Sequence, residues 1–133
     1  MTDVQSLQGS CLCGAVQFSI TGPLRPVSYC HCNQCRKTHG HFAAYTRVED
    51  SCLQLETSTG LAWYRASDFA RRGFCRECGS SLFWQRDATK TISIAAGSLD
   101  LPTGLIADRH IYVNDAGDYY SINDGLEVYS QGS

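Results

Sequence analysis

Seven of the eight cysteines fall into three tight clusters. Cys11 and Cys13 form a C-x-C pair. Cys30, Cys32 and Cys35 lie within the run C-H-C-N-Q-C. Cys75 and Cys78 form a C-x-x-C pair. Thiolates two or three residues apart can share one tetrahedral Zn²⁺, whereas a C-x-C pair bridges poorly to itself. The four sulfurs of Cys11, Cys13, Cys75 and Cys78 close one site, which would staple segments far apart in the chain. The three of Cys30, Cys32 and Cys35 leave a second site one ligand short. That count predicts two Zn²⁺ per chain, one structural and one catalytic. An open zinc position can deprotonate and orient a bound thiol or act as a Lewis acid.

The fourth position of the central site has several candidates: water, a substrate thiolate, Cys52, His31, His39 or His41. Cys52 is the one cysteine outside a cluster; the competing reading makes it a small apolar residue at the start of a strand. His31 sits between two ligands and is expected to point away from them, in a structural or surface role. His39 and His41 follow the cysteine turn and could orient substrate or stand solvated in a loop. His110, an isolated histidine, is expected to be packed or exposed. Arg71, Arg72 and Arg76 could offset the charge of the tetrathiolate site. Arg36, Lys37, Arg71 and Arg72 give the central site a positive neighbourhood. That charge either suits an acidic substrate, such as a carboxylate-bearing peptide thiol, or compensates the thiolates. Redox-active cysteines are the alternative for the outer pairs, but no βαβ pattern supports a thioredoxin reading.

The elements that must position these residues are short. At 133 residues the chain reads as one domain, 1–133. A polar lead, in which Val4 and Leu7 could be anchors, runs into S-C-L-C-G. Gly14 and Gly79 each follow a cysteine pair, where the chain must turn sharply around a metal; glycine takes that turn without Cβ strain. Val16, Phe18 and Ile20 alternate with polar residues, which predicts a half-buried strand. Further strands are predicted over Val27–Tyr29, Phe42–Val48, Cys52–Leu55, Leu61–Tyr64, Phe69–Phe74, Leu82–Trp84 and Thr91–Ala96, with Ile92 and Ile94 on one side. Ile106 to Val113 forms the last core segment. Asn33–His39 could form one helical turn closed by Gly40. Tyr119, Tyr120 and Ile122 could cover one edge of the core, and the tail from Asp124 is mostly polar. Gly60 reads as a strand breaker. The pattern is mainly antiparallel β.

Several functions are disfavoured. With 11 basic and 13 acidic residues the formal charge is -2, which is no electrostatic footprint for nucleic acid. No apolar run approaches the length of a membrane span. MTDVQSLQGS has neither a basic region nor an apolar run, so no signal peptide is expected and the predicted location is the reducing cytoplasm. No GxxxxGK, GxGxxG or HExxH motif occurs.

The runs G-S-C-L-C-G-A-V, C-H-C-x-x-C-R and R-G-F-C-R-E-C-G-S-S-L, followed by A-G-S-L-D and H-I-Y-V, resemble the glutathione-dependent formaldehyde-activating enzyme family. The resemblance spans roughly residues 9–128. It implies several coiled antiparallel β-sheets stapled by zinc, similar to the zinc-bearing Rab-binding chaperones. It implies a structural zinc on Cys11, Cys13, Cys75 and Cys78 and a catalytic zinc on Cys30, Cys32 and Cys35. The implied activity is that of a carbon–sulfur lyase acting on a glutathione or other small-thiol adduct, such as S-hydroxymethylglutathione. One departure is visible: Tyr119 and Tyr120 stand where relatives often place a tryptophan, which bears on pocket shape or edge packing. A different class of function is a non-enzymatic, zinc-stabilised protein-binding module. A fourth protein ligand on the central zinc, Cys52 above all, favours that module; a central site open to a pocket favours the enzyme.

Overall fold

The computed structural model describes residues 5–132, so the anchor expected at Val4 lies outside the described residues. The fold is mainly β, with two sheets and one α-helix among the described residues. The strands are β1 (Gln5–Ser10), β2 (Gln17–Gly22), β3 (Val27–Cys30), β4 (Ala43–Glu49), β5 (Leu53–Thr57), β6 (Leu61–Arg65), β7 (Ala70–Cys75), β8 (Ser81–Arg86), β9 (Thr91–Ala95), β10 (Ala107–Ile111) and β11 (Glu127–Val128). The helix, α1 (Asn33–His39), ends at Gly40, which adopts the left-handed conformation (φ 83°) that a helix C-cap favours.

A three-stranded sheet runs β1-β2-β5 and an eight-stranded sheet runs β11-β10-β3-β4-β9-β8-β7-β6. Alternation decides what each strand buries. In β2, Phe18 and Ile20 point inward and meet Val48, Phe83, Ile92 and Ile94 from the large sheet. Phe18 and Phe83 pack edge to face, with ring centroids 5.2 Å apart. The intervening residues of β4, β8 and β9 supply the opposite face of the large sheet, where Tyr45, Trp84 and Ser93 line a cavity. The large sheet therefore has a dry face against the small sheet and a polar face that carries the cavity.

Three expectations change. The polar lead is in fact strand β1, paired antiparallel with β2 from Gln5↔Gly22 to Ser10↔Gln17. Its alternation is hidden because the inward position opposite Phe18 is Gly9, which leaves room for the ring. Second, the large sheet is not wholly antiparallel: β10 runs parallel to both β3 and β11. Third, the polar tail folds back. It supplies β11, and Asp124 Oδ2 accepts a hydrogen bond from His110 Nε2 at 2.8 Å. Gly60 is a close-packing position as well as a turn, since a Cβ there would lie 2.8 Å from Cys75 Sγ.

A Cβ on Gly9 would lie 2.5 Å from Phe18 Cζ and 2.8 Å from the Ser98 carbonyl oxygen. Gly9→Ala is expected to lower stability by about 1–3 kcal/mol through overpacking. Equilibrium urea unfolding measures it, and an unchanged midpoint would refute the tight β1–β2 contact.

Candidate metal centres and the cavity between strands

The outer cysteine pairs meet. Cys11 follows β1 directly and Cys75 closes β7, so the two sheets converge on this cluster. The Sγ atoms of Cys11, Cys13, Cys75 and Cys78 all lie within 4.8 Å of one another. Cys11 Sγ is 3.8 Å from Cys13 Sγ, which is 3.8 Å from Cys75 Sγ. The backbone N–H of Val16 donates to Cys11 Sγ (3.2 Å), as expected of a thiolate knuckle. Gly14 (φ 87°) and Gly79 (φ 83°) take the left-handed turns that the sequence predicts. Ser80 links the two pairs: its hydroxyl accepts from the Leu12 N–H and lies 3.2 Å from Cys78 Sγ. Of the arginines expected to offset this cluster, Arg76 donates to the Thr59 carbonyl, Arg71 stacks over Trp63 at 3.7 Å and Arg72 goes to the other cluster.

Cys30, Cys32 and Cys35 form the second group, again with all sulfurs within 4.8 Å. Cys30 ends β3, held between Ala43 of β4 and Ile111 of β10. Cys32 is the N-cap of α1, its Sγ accepting from the Cys35 N–H at 3.3 Å. The three thiols are crowded. Contact with Cys32 and then Cys35, with burial added, pushes the Cys30 thiol far up, while contact with Cys30 and then Cys35 pulls Cys32 far down. Thiolates this close repel one another, and a divalent cation would offset that repulsion. Soft sulfur donors at this spacing fit Zn²⁺.

No fourth His, Cys, Asp or Glu joins the trio among the described residues. Cys52 packs with the apolar core between the sheets, its Sγ 2.9 Å from where a Cβ on Gly22 would sit. It is the small apolar residue of the competing reading. His31 points away from the trio, as expected. It is buried and bonds to Tyr120 Oη through Nδ1 and to His110 Nδ1 through Nε2 (2.8 Å). His110 is likewise buried. With Asp124 these groups form a continuous polar chain that ties the tail to the back of the cysteine run. His41 bonds to Tyr119 Oη at 2.9 Å. Neither Tyr119 nor Tyr120 lines the cavity, so the departure at these positions concerns edge packing. His39 bonds to Tyr45 Oη at 3.0 Å. Burial pushes both His31 and His39 down to about 4, so both rings are neutral at neutral pH.

Cys30, Cys32 and Cys35 all line a cavity of about 590 Å³. Its wall carries Arg25, Arg47, Arg72, Arg86 and Arg109, with Asp115 the one Asp or Glu among the described lining residues; Arg109 is itself paired with Asp108 at 3.0 Å. Four of its residues form one cross-strand row, Arg72↔Trp84↔Ser93↔Arg47, from β7, β8, β9 and β4. Burial, with Arg47 and Arg109 nearby, pushes the Arg25 guanidinium down to about 10, so it stays charged at neutral pH. Of the basic residues singled out in the sequence, only Arg72 reaches this wall. Arg71 is its neighbour in β7 and therefore points to the other face. Arg36 bonds to Asn33 within α1, and Lys37 is exposed. Arg25, Arg47, Arg86 and Arg109 come from separate elements, and no local sequence pattern links them. Among the described residues no helix is long and apolar enough to cross a membrane.

An uncharacterized lyase of Schizosaccharomyces pombe is 31% identical over 125 residues, covering 92% of this chain and 90% of that protein. A putative glutathione-dependent formaldehyde-activating enzyme of Halomonas elongata is 33% identical over 85 residues, covering 58% of this chain and 54% of that protein. The crystal structure of a Rhodobacter sphaeroides protein has the same fold, with a TM-score of 0.58 at 23% identity over 92% of this chain and 98% of that one. Residues 6–115 match the family described as glutathione-dependent formaldehyde-activating enzyme. With seven cysteines in two clusters and this extent of similarity, the chain belongs to the glutathione-dependent formaldehyde-activating enzyme family.

Proposed function

We propose that the chain forms one zinc-stapled domain with two Zn²⁺, structural on Cys11, Cys13, Cys75 and Cys78 and catalytic on Cys30, Cys32 and Cys35. Its activity is that of a carbon–sulfur lyase acting reversibly on an adduct of glutathione or another small acidic thiol; S-hydroxymethylglutathione is the leading candidate. The observation that carries the reading is that all three cysteines of the trio line a cavity whose wall also holds five arginines and one aspartate. The names of the two sequence relatives, a lyase and a putative formaldehyde-activating enzyme, support the same class. The position of Cys52, away from the trio, removes the feature that would have favoured a binding module.

Zn²⁺ on the trio would supply a Lewis acid that holds a thiol as its thiolate. The remaining work falls to the chain. Wall guanidinium groups other than that of Arg72 bind the carboxylates of the thiol partner, and most of the binding energy lies in that half because formaldehyde is too small to supply much. The walls hold the thiolate and the carbonyl carbon together, so proximity contributes to rate. Trp84 and Ile111, on the same wall, limit water around the reacting atoms.

Two measurements test this reading. The zinc-loaded protein should accelerate formation of S-hydroxymethylglutathione from glutathione and formaldehyde, followed by NMR exchange. It should accelerate reaction of a neutral thiol such as ethanethiol at least about tenfold less, since carboxylate pairing is lost. No acceleration with any thiol would reject the lyase reading. The two metal sites should also fail differently. Cys78→Ser is expected to abolish soluble folded protein, because that metal joins the two sheets. Cys32→Ser should leave a folded chain with one zinc and little activity. Equal loss of folding, followed by circular dichroism and zinc analysis, would make both metals structural.

A further inference from the structure

Arg72 is the most deeply placed charge on the cavity wall, only 6% exposed. Its Nη1 donates to Tyr45 Oη (3.3 Å), and its Nη2 lies 3.5 Å from both Cys35 Sγ and Gln34 Oε1. Its Nε–H is buried and has no partner. An unpartnered guanidinium N–H at this depth is costly unless a ligand completes it. Ser28 Oγ, on the residue paired with Tyr45 across β3 and β4, is a second buried polar group on the same wall without a partner. Tyr45 itself is 7% exposed and packs in one cluster with Cys30 and Cys35. Its phenol oxygen is bracketed by Arg72 and by His39 Nε2. With the imidazole proton on Nε2, both neighbours donate to that oxygen, and the phenol O–H is left free to donate to a ligand in the cavity that Tyr45 lines.

From this arrangement we infer that Arg72 and Tyr45 form an oxyanion site beside the sulfur trio, binding the oxygen carried on the sulfur-bearing carbon of the substrate. The inference rests on the proposed lyase reading and assigns the half of the reaction that the cysteines leave open. In the synthetic direction the thiolate electron pair forms the C–S bond, and the carbonyl π pair moves onto oxygen. The alkoxide then takes up one proton from solvent, replacing the proton that the thiol released on binding. In the lyase direction the same steps reverse, and no oxidant or reductant is needed. Negative charge collects on that oxygen in both directions. Two donors already held in place at low dielectric stabilise it more than mobile water does. Neither donor has to change its protonation state.

The competing role for Arg72 is to offset thiolate charge, through its contact with Cys35. The two roles separate by ligand. Thioacetate carries an oxygen on the carbon attached to sulfur; ethanethiol has the same chain without it. Each is titrated into the cobalt-loaded full-length protein and followed by the visible spectrum of the metal. In wild-type protein both ligands are expected to shift the spectrum. In Tyr45→Phe, thioacetate binding should weaken about tenfold, the loss of one hydrogen bond to a charged oxygen, with ethanethiol binding changed less than about twofold. Arg72→Lys, which keeps the charge but loses the planar donor array, should show the same split if Tyr45→Phe does not fold. Equal weakening of both ligands, or none, would overturn the oxyanion site while leaving the lyase reading intact. If neither ligand shifts the wild-type spectrum, thiol binding at the trio is wrong and the oxyanion site falls with it.

Discussion

The structure depends on sulfur crowding. Seven thiol groups sit in two knots, with every sulfur in a knot within 4.8 Å of the others. Thiolates this close repel one another, and on the proposed assignment the cation that offsets this repulsion also fixes the chain. The first knot sits where β1 of the small sheet and β7 of the large sheet both end. The second sits where β3 passes into α1. A chain of this length buries a modest core, so two such fixed points carry more of its order than they would in a larger protein.

From that constraint the division of the large sheet follows. One face is closed by the small sheet and packed with Phe18, Ile20, Phe83 and Ile94. The other face must leave the second knot accessible, and strand alternation fills it with the neighbours of the core residues. Arg72 lies beside Gly73, Trp84 beside Phe83, Ser93 beside Ile92 and Ile94. Each of these positions belongs to the cavity because its neighbour belongs to the core. The same rule separates Arg71 from Arg72, and it concentrates cationic charge on one wall without a basic stretch in the sequence.

Legibility in the sequence followed how local each feature is. The cysteine knots were legible because ligand type and spacing are local, and so were Gly14, Gly79 and Gly40, whose left-handed turns serve adjacent residues. Most strands were legible from alternation. β1 was not, because Gly9 replaces the apolar side chain that would have marked its inward face. The arginine wall was illegible because Arg25, Arg47, Arg72, Arg86 and Arg109 become neighbours only through sheet order. The chain from Tyr120 through His31 and His110 to Asp124 was illegible for a related reason. It needs the tail to return beside β10, and a two-residue parallel strand leaves no periodic signal. His31 could be read as pointing away from the metal, since it alternates with two ligands, but its partners could not.

The central claim is that one knot offers four protein sulfurs and the other three, with the last position facing the cavity. X-ray absorption at the zinc edge of the doubly loaded protein reports the mean sulfur count per zinc directly. About three and a half sulfurs per zinc are expected, the average of four and three, with half a lighter scatterer per zinc, all of it from the second site. Adding glutathione should raise the mean to about four as its thiol completes the second site. A mean of four in the free protein, unchanged by glutathione, would show a closed second site and contradict the account.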